Sequence, residues 1–418
     1  MMAERLFVGP FELIEWPAAL GEQGRARHYV TLETVSVKTG SCLSLDREVH
    51  TLQAAAGGVG IPLLHWFEII SGKEVMIIDS YGPTLEELFS ESGRYFSMCT
   101  LLLLADQLLS RVEFIHSRNI VHGNLNPFSF ALGSCGWQDQ QVFLVDFRVE
   151  TEPEPTPRDD LLAVSHILSY FYNQAEPWEQ YRHQRHQSTD IPVLRAFTAA
   201  IPSRGAVNYD LLRGIFREAY HDLLANIGFA LDLKGPRAMG PGMLPRMGEF
   251  SKVKTTALFD DLNSSLSRIG KLSSPPNIIL PCEMWAGLLT EFNKALHIYM
   301  VLLCRDRASC EKEAWVMGAY HLPNRLWRDL RWFLKCINNA PESFRLAVIG
   351  KVYNFLAALY DAIPSYRIYW AEYLQILARA RKGLEPECGK AAWTRTIFSW
   401  QDVLNRLQAS RSVLKQMQ

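Results

Sequence analysis

Phe114-Ile-His-Ser-Arg-Asn-Ile-Val-His-Gly-Asn-Leu-Asn-Pro-Phe-Ser129 is the stretch on which the reading of this chain turns. It closes an apolar run in which Met98, Leu101, Leu102, Ala105, Leu108, Leu109, Val112 and Ile115 recur at helical spacing, which predicts a helix over 97–118. Polar residues, Gly123 and Pro127 then break the pattern and predict a loop over 119–128. Two short runs, Ser129–Leu132 and Val142–Val145, predict strands after it.

Upstream, residues 1–90 read mostly as strands. Tyr29-Val-Thr-Leu and Val75-Met-Ile-Ile are β-branched or apolar runs bounded by turn residues, with one helix expected near Leu45–Ala56. Downstream, Glu152-Pro-Glu-Pro-Thr-Pro157 is a breaker-rich turn, and helices are expected over 159–172 and 209–225. Residues 234–281 are rich in Gly, Pro and Ser and read as a linker with one short helix near Thr256–Ile269. Beyond 281 the pattern is helical throughout. Leu326, Trp327, Leu330, Phe333, Leu334 and Ile337 share one face, and further helices fit 343–361, 366–382 and 396–415. No fixed-period repeat is visible. The layout is α+β, divided as 1–90, 91–235, a linker over 236–281, and an all-α domain over 282–418.

The chain's 418 residues, 48% hydrophobic and 21% charged, have the composition of a globular protein and argue against a disordered one. A net charge of -1 gives no whole-protein footprint for nucleic acid or acidic membranes. The balance is uneven: residues 1–275 carry -8 and residues 276–418 carry +7, so the two parts could attract each other or different partners. None of the eight cysteines forms a CxxC pair, so zinc-ribbon spacing is missing. With no apolar core in Met1–Phe11, they read as reduced thiols of an intracellular protein, cytoplasmic or nuclear. Leu101–Leu109 and Ala295–Cys304 are too short to span a bilayer, so no membrane partner is expected.

Seven strings in order resemble the protein-kinase fold, and the casein kinase 1 family in particular. They are Gly57-Gly-Val-Gly-Ile-Pro62, Tyr81-Gly-Pro-Thr-Leu-Glu-Glu-Leu-Phe89, Leu104-Ala-Asp-Gln-Leu-Leu-Ser-Arg111, Phe114 to Asn124, Val145-Asp-Phe147, Arg158-Asp-Asp-Leu161 and Pro177-Trp178. They cover about residues 8–232. The resemblance implies a bilobal fold, with a β-rich N-lobe over 1–90 and a helical C-lobe over 91–235.

The chemistry departs from that pattern. Phosphoryl transfer depends on positioning phosphates and neutralising their charge. Val30-Thr-Leu-Glu33 is aligned with the strand that carries the family's phosphate-gripping lysine, which puts Glu33 at its place, while Glu48 matches the helix glutamate. Two like charges ~4 Å apart at an effective dielectric near 20 repel by about 4 kcal/mol, so this alignment argues against ordinary ATP affinity. Asn124 replaces the base aspartate, and an amide cannot take a hydroxyl proton at neutral pH. Asn126 replaces the loop lysine and Ser129 the metal-binding asparagine. Asp146 matches the metal-binding aspartate, but Arg148 replaces the glycine that follows, and a cation there could fill the metal's place. Gly9-Pro-Phe-Glu12 stands where the glycine-rich hairpin should begin, with Glu12 for its second glycine. Only ten residues, 148–157, remain where the family has a much longer activation segment. Scaffolding positions persist: His122 and Phe147 match the hydrophobic spine, and Asp160 matches the aspartate that holds the catalytic loop.

The expectation is therefore a pseudokinase with no catalytic residue, no metal and no cofactor, working as a scaffold or allosteric regulator among protein partners. The alternative is a residual serine/threonine phosphotransferase using Asp146 with ATP and Mg²⁺ or Mn²⁺. A second alternative is nucleic-acid binding by the basic C-terminal helices, where Arg325–Lys335 interleaves cations with Trp327, Trp332 and Phe333. Those helices could equally contact the rest of the chain or a partner. His183 and His186 lack a ligand set at metal spacing and read as a polar loop.

Overall fold

The computed structural model describes residues 6–17, 23–41, 45–134, 136–148, 154–173, 178, 191–203, 205–224, 254–273, 282–308 and 321–416. The chain forms two compact units that are not consecutive in sequence. One gathers Met1–Val49, Leu63–Ser80 and Leu244–Gln418; the other gathers His50–Pro62 and Tyr81–Met243.

The first unit holds an antiparallel sheet of β1 (Phe7–Val8), β2 (Phe11–Glu15), β3 (Gln23–His28), β4 (Thr34–Ser41), β5 (Leu64–Ile70) and β6 (Lys73–Asp79), in the order β1-β2-β3-β4-β6-β5. Alternation along β4 and β6 sorts the two faces. Val35, Val37, Val75 and Ile77 are buried with Ala26, Phe11 and Val8 on one face. Lys38 lies opposite Met76 on the other face. Gly9, at a φ of +53°, turns the chain from β1 to β2 beneath the Trp66 ring, where an added Cβ would come within 2.6 Å. The Gly9-Pro10 pair is thus an opening turn. Helix α1 (Asp46–Ala54) starts in this unit.

Tyr29–Leu32 is a turn, not a strand. The β-branched run misleads because His28 intervenes: its buried Nδ1 accepts the N–H groups of Val30 and Thr31 at 3.2 and 3.1 Å, curling the chain before β4. Leu32 takes a φ of +57° there.

The helices of this unit include α7 (Thr255–Ser273), α8 (Cys282–Ala308), α9 (Leu322–Cys336), α10 (Glu342–Ala362), α11 (Arg367–Leu384) and α12 (Glu387–Gln416). Helix α7 packs on α8, and α11 packs on both α10 and α12. The short helix expected inside the linker is therefore a packed element: Leu258, Leu262 and Ile269 are fully buried along it. Ring stacks join the bundle, Phe292 on Phe333 at 3.7 Å and Trp327 on Tyr373 at 4.2 Å. Helix α10 also meets the sheet. Lys351 pairs with Glu33, Asn354 Nδ2 reaches Asp79 at 3.5 Å, and a Cβ at Gly350 would lie 2.8 Å from Leu63 Cδ1. The C-terminal helices contact the N-terminal sheet of their own chain.

The second unit holds β7 (Tyr81–Thr84), β8 (Phe130–Gly133) and β9 (Val142–Leu144), paired in the order β7-β8-β9. Around them lie α2 (Leu85–Glu91), α3 (Met98–Ser117), α4 (Pro157–Tyr172), α5 (Pro192–Ala200) and α6 (Tyr209–Leu224). Thr84 starts α2 through a capping box with Glu87. Helix α3 buries Leu104, Ala105, Leu108, Leu109, Val112 and Ile115 completely and packs against α4 and α6. Its Asp106 accepts from Arg213 and Arg217 of α6 at 2.9 and 3.1 Å. Among the described residues no helix is long and apolar enough to cross a membrane.

Candidate functional site

In the first unit, the pleat of β4 turns Lys38 to the face opposite Val37, and α1 presents Glu48 toward it. Lys38 Nζ donates to Glu48 Oε1 at 2.5 Å, and only 13% of the lysine and 4% of the glutamate side chain are exposed. Such a pair persists when close geometry compensates the desolvation of both charges. The residue facing Glu48 is therefore Lys38, which corrects the alignment that put Glu33 there. Glu33 lies in the β3–β4 connection and pairs with Lys351 of α10. Val37-Lys-Thr39, alternating within a strand ten residues before Glu48, was the signal that could have placed the lysine.

At the far end of β6, Asp79 accepts the Leu63 N–H at 2.9 Å and contacts His65 Nε2 at 2.7 Å. Burial alone would raise its pKa, but His65, the Leu63 amide and the Arg381 charge outweigh it and hold the carboxyl below the usual range.

In the second unit, Asp160 on α4 is fully buried and organises the loop after α3. Its Oδ2 accepts the His122 N–H and its Oδ1 the Gly123 N–H, both at 2.7 Å. His116 Nε2 lies 2.8 Å from the same carboxylate, and its Nδ1 bonds the Tyr209 hydroxyl. His116 belongs to this network, although no motif in the sequence marks it out. Gly123, at a φ of +75°, permits the turn that aims both amides at one carboxylate. The His122 ring is buried. Its Nε2 donates to the Asp146 carbonyl at 2.9 Å, and its Nδ1 accepts the Asn124 N–H at 3.3 Å, which fixes the tautomer.

Asn124 is exposed at the tip of this loop, with its carbonyl accepting from Asn126 Nδ2 at 3.1 Å. Asn126 and Ser129 cap the turn Pro127–Ser129. Asn126 Oδ1 accepts the Phe128 N–H at 2.9 Å, and the fully buried Ser129 Oγ accepts the Asn126 N–H at 3.2 Å. Phe147 is buried. Asp146 is gripped by Arg148 through two parallel bonds, Nε to Oδ1 at 2.9 Å and Nη2 to Oδ2 at 2.8 Å.

These donors do not fit a divalent metal. Both Asp146 oxygens already meet a guanidinium, Ser129 faces the loop backbone, and no group of three His, Cys, Asp or Glu ligands occurs among the described residues. Trp178 is buried with its ring against Tyr170. Pro177, residues 149–153 of the short segment, His183 and His186 lie outside the described residues. No family model matches the chain.

Proposed function

We propose that the chain is a catalytically silent, protein-kinase-like protein of the casein kinase 1 type, serving as a scaffold or allosteric regulator in a protein complex. The observation that carries this reading is the loop held by Asp160. Its framework is complete, from the paired amides of His122 and Gly123 to the His122–Asp146 bond, yet the side chain presented at its tip is Asn124. An amide oxygen is far too weakly basic to take a proton from a hydroxyl. The sheet order, with α1 between β4 and β5 and the Lys38–Glu48 pair linking α1 to the sheet, supports the kinase-like part of the reading.

The test is phosphate transfer from ATP to generic protein substrates, followed by mass spectrometry in the wild type, N124A and D146N. No transfer above the variants' background is expected. Transfer that either substitution abolishes would overturn the reading.

The Lys38–Glu48 pair favours one second reading, a residual nucleotide-dependent transferase. Thermal unfolding with millimolar ATP and Mg²⁺ or Mn²⁺ separates the two, since a ligand at about 100 times its dissociation constant adds ~2.7 kcal/mol. The scaffold reading expects no metal-dependent shift. For the nucleic-acid alternative, Trp327 and Phe333 are engaged in internal stacks, which leaves the exposed Arg328, Arg331, Trp332 and Lys335 to carry it.

A further inference from the structure

We propose that the exposed face of α12 centred on Phe398 is where two copies of this chain join, with their α12 helices antiparallel about a two-fold axis beside that residue.

Helix α12 has two unlike sides. Trp393, Thr396, Trp400 and Leu404 are buried, and Trp400 Nε1 donates to the Tyr353 hydroxyl of α10 at 2.6 Å. Ala391, Arg395, Phe398, Asp402 and Asn405 are exposed, at steps of four, three, four and three residues. That is the heptad spacing of a seam between two helices. Phe398 at its centre is 65% exposed, the most exposed large apolar side chain among the described residues. On α11, Gln375 Nε2 donates to the Ile397 carbonyl at 3.4 Å, which brings the exposed Ile376 to the adjoining turn.

A single exposed phenylalanine needs no partner. The charges flanking this one say what covers it. Arg395 and Asp402 form no hydrogen bond or ion pair with a described residue, and seven residues of helix, ~10 Å, keep them from each other. In a two-fold contact the same patch serves both copies, so each pairing occurs twice. With the axis beside Phe398, Arg395 lies ~4.5 Å along the helix to one side and Asp402 ~6 Å to the other. Antiparallel α12 helices therefore set Arg395 of each copy opposite Asp402 of the other, with the two Phe398 rings together at the centre. Ala391 and Asn405, each seven residues from Phe398, also fall opposite one another and are small enough for close approach. Parallel helices would instead oppose like charges, which is costly. The face is thus complementary to itself in the antiparallel orientation alone.

The experiment is sedimentation equilibrium of the full chain at low ionic strength, from micromolar to hundreds of micromolar, with folding checked by circular dichroism. The wild type is expected to dimerise within that range. F398D is expected to weaken the dimer at least tenfold. R395D and D402R, which each oppose like charges twice per dimer, are expected to weaken it as well. The double variant R395D/D402R restores both pairs and is expected to return to near the wild-type affinity, as is an equimolar mixture of the two single variants. A wild type that stays monomeric throughout would overturn the proposal and leave the face to a different protein. A dimer that F398D leaves intact would also overturn it, as would single-variant losses that the double variant does not recover. Phosphate transfer plays no part in this readout, so the silent-kinase reading could fail while two copies still join through this face.

Discussion

Three polar residues of the first unit, Lys38, Glu48 and His28, show how a single side chain sets local structure. Lys38 and Glu48 form a nearly buried pair, so truncating one partner strands the other's charge. K38A should cost about 3 kcal/mol in urea denaturation, and the double variant K38M/E48L should recover a large part of that loss. His28 gives a pH prediction. Burial first, and the nearby His65 charge second, lower its pKa from 6.5 to about 4. In the unfolded chain it protonates near 6.5, so stability is complete above that value and falls as pH drops from 6.5 toward 4. The loss is at most about 3 kcal/mol by linkage. A proton on Nδ1 would also remove the acceptor for Val30 and Thr31. H28N should flatten this part of the pH–stability curve measured by chemical denaturation.

At the scale of elements, α3 and α6 are joined by charge inside an apolar contact. Burial would raise the Asp106 pKa, but Arg213 and then Arg217 bring it down to about 2. A depressed carboxyl contributes stability above its unfolded value near 3.8 and loses it as pH falls through about 2, an effect of about 2 kcal/mol. D106N should remove that contribution at neutral pH and leave acid unfolding of the variant shallower. Helix α10 depends instead on the absence of a side chain. A Cβ at Gly350 would lie 2.4 Å from Arg381 Nη1 as well as 2.8 Å from Leu63 Cδ1. Arg381 cannot easily withdraw, because it is buried, bonded to Glu385 at 2.7 Å and set over the Trp393 ring. G350A should lower the melting temperature, against the usual helix-stabilising effect of alanine.

At the scale of the whole molecule, the charge asymmetry along the sequence has one visible outcome. Glu33, from the acidic part, meets Lys351, from the basic part, and joins the β3–β4 connection to α10. Both side chains are partly exposed, so the pair contributes on the order of 1 kcal/mol. E33K and K351E should each destabilise the chain, and E33K/K351E together should restore most of the loss in a double-mutant cycle. If the swap restores nothing, the contact is incidental to how the helices meet the sheet.

Elements whose burial is periodic were legible from the order of residues alone. Helix α3, with its leucines three and four apart, could bury its apolar face in only one way, and α10 and α11 follow for the same reason. The scaffold at Asp160 and the Arg148 cation beside Asp146 were equally legible, since motif order and short spacing put them within reach. Position along β4 was not. Local β-propensity drew the strand back to Val30, while two amide bonds to a buried histidine decided otherwise. Short α2 and α5 gave too few turns for a period to stand out. Nor could composition tell that Gly- and Pro-rich flanks enclose the packed helix α7. Long-range packing sets Lys38 against Glu48 and Glu33 against α10, and it gathers C-terminal helices and N-terminal strands into one unit. Those pairings join residues from ten to more than three hundred positions apart. They depend on which surfaces lose water together, and no local pattern encodes that.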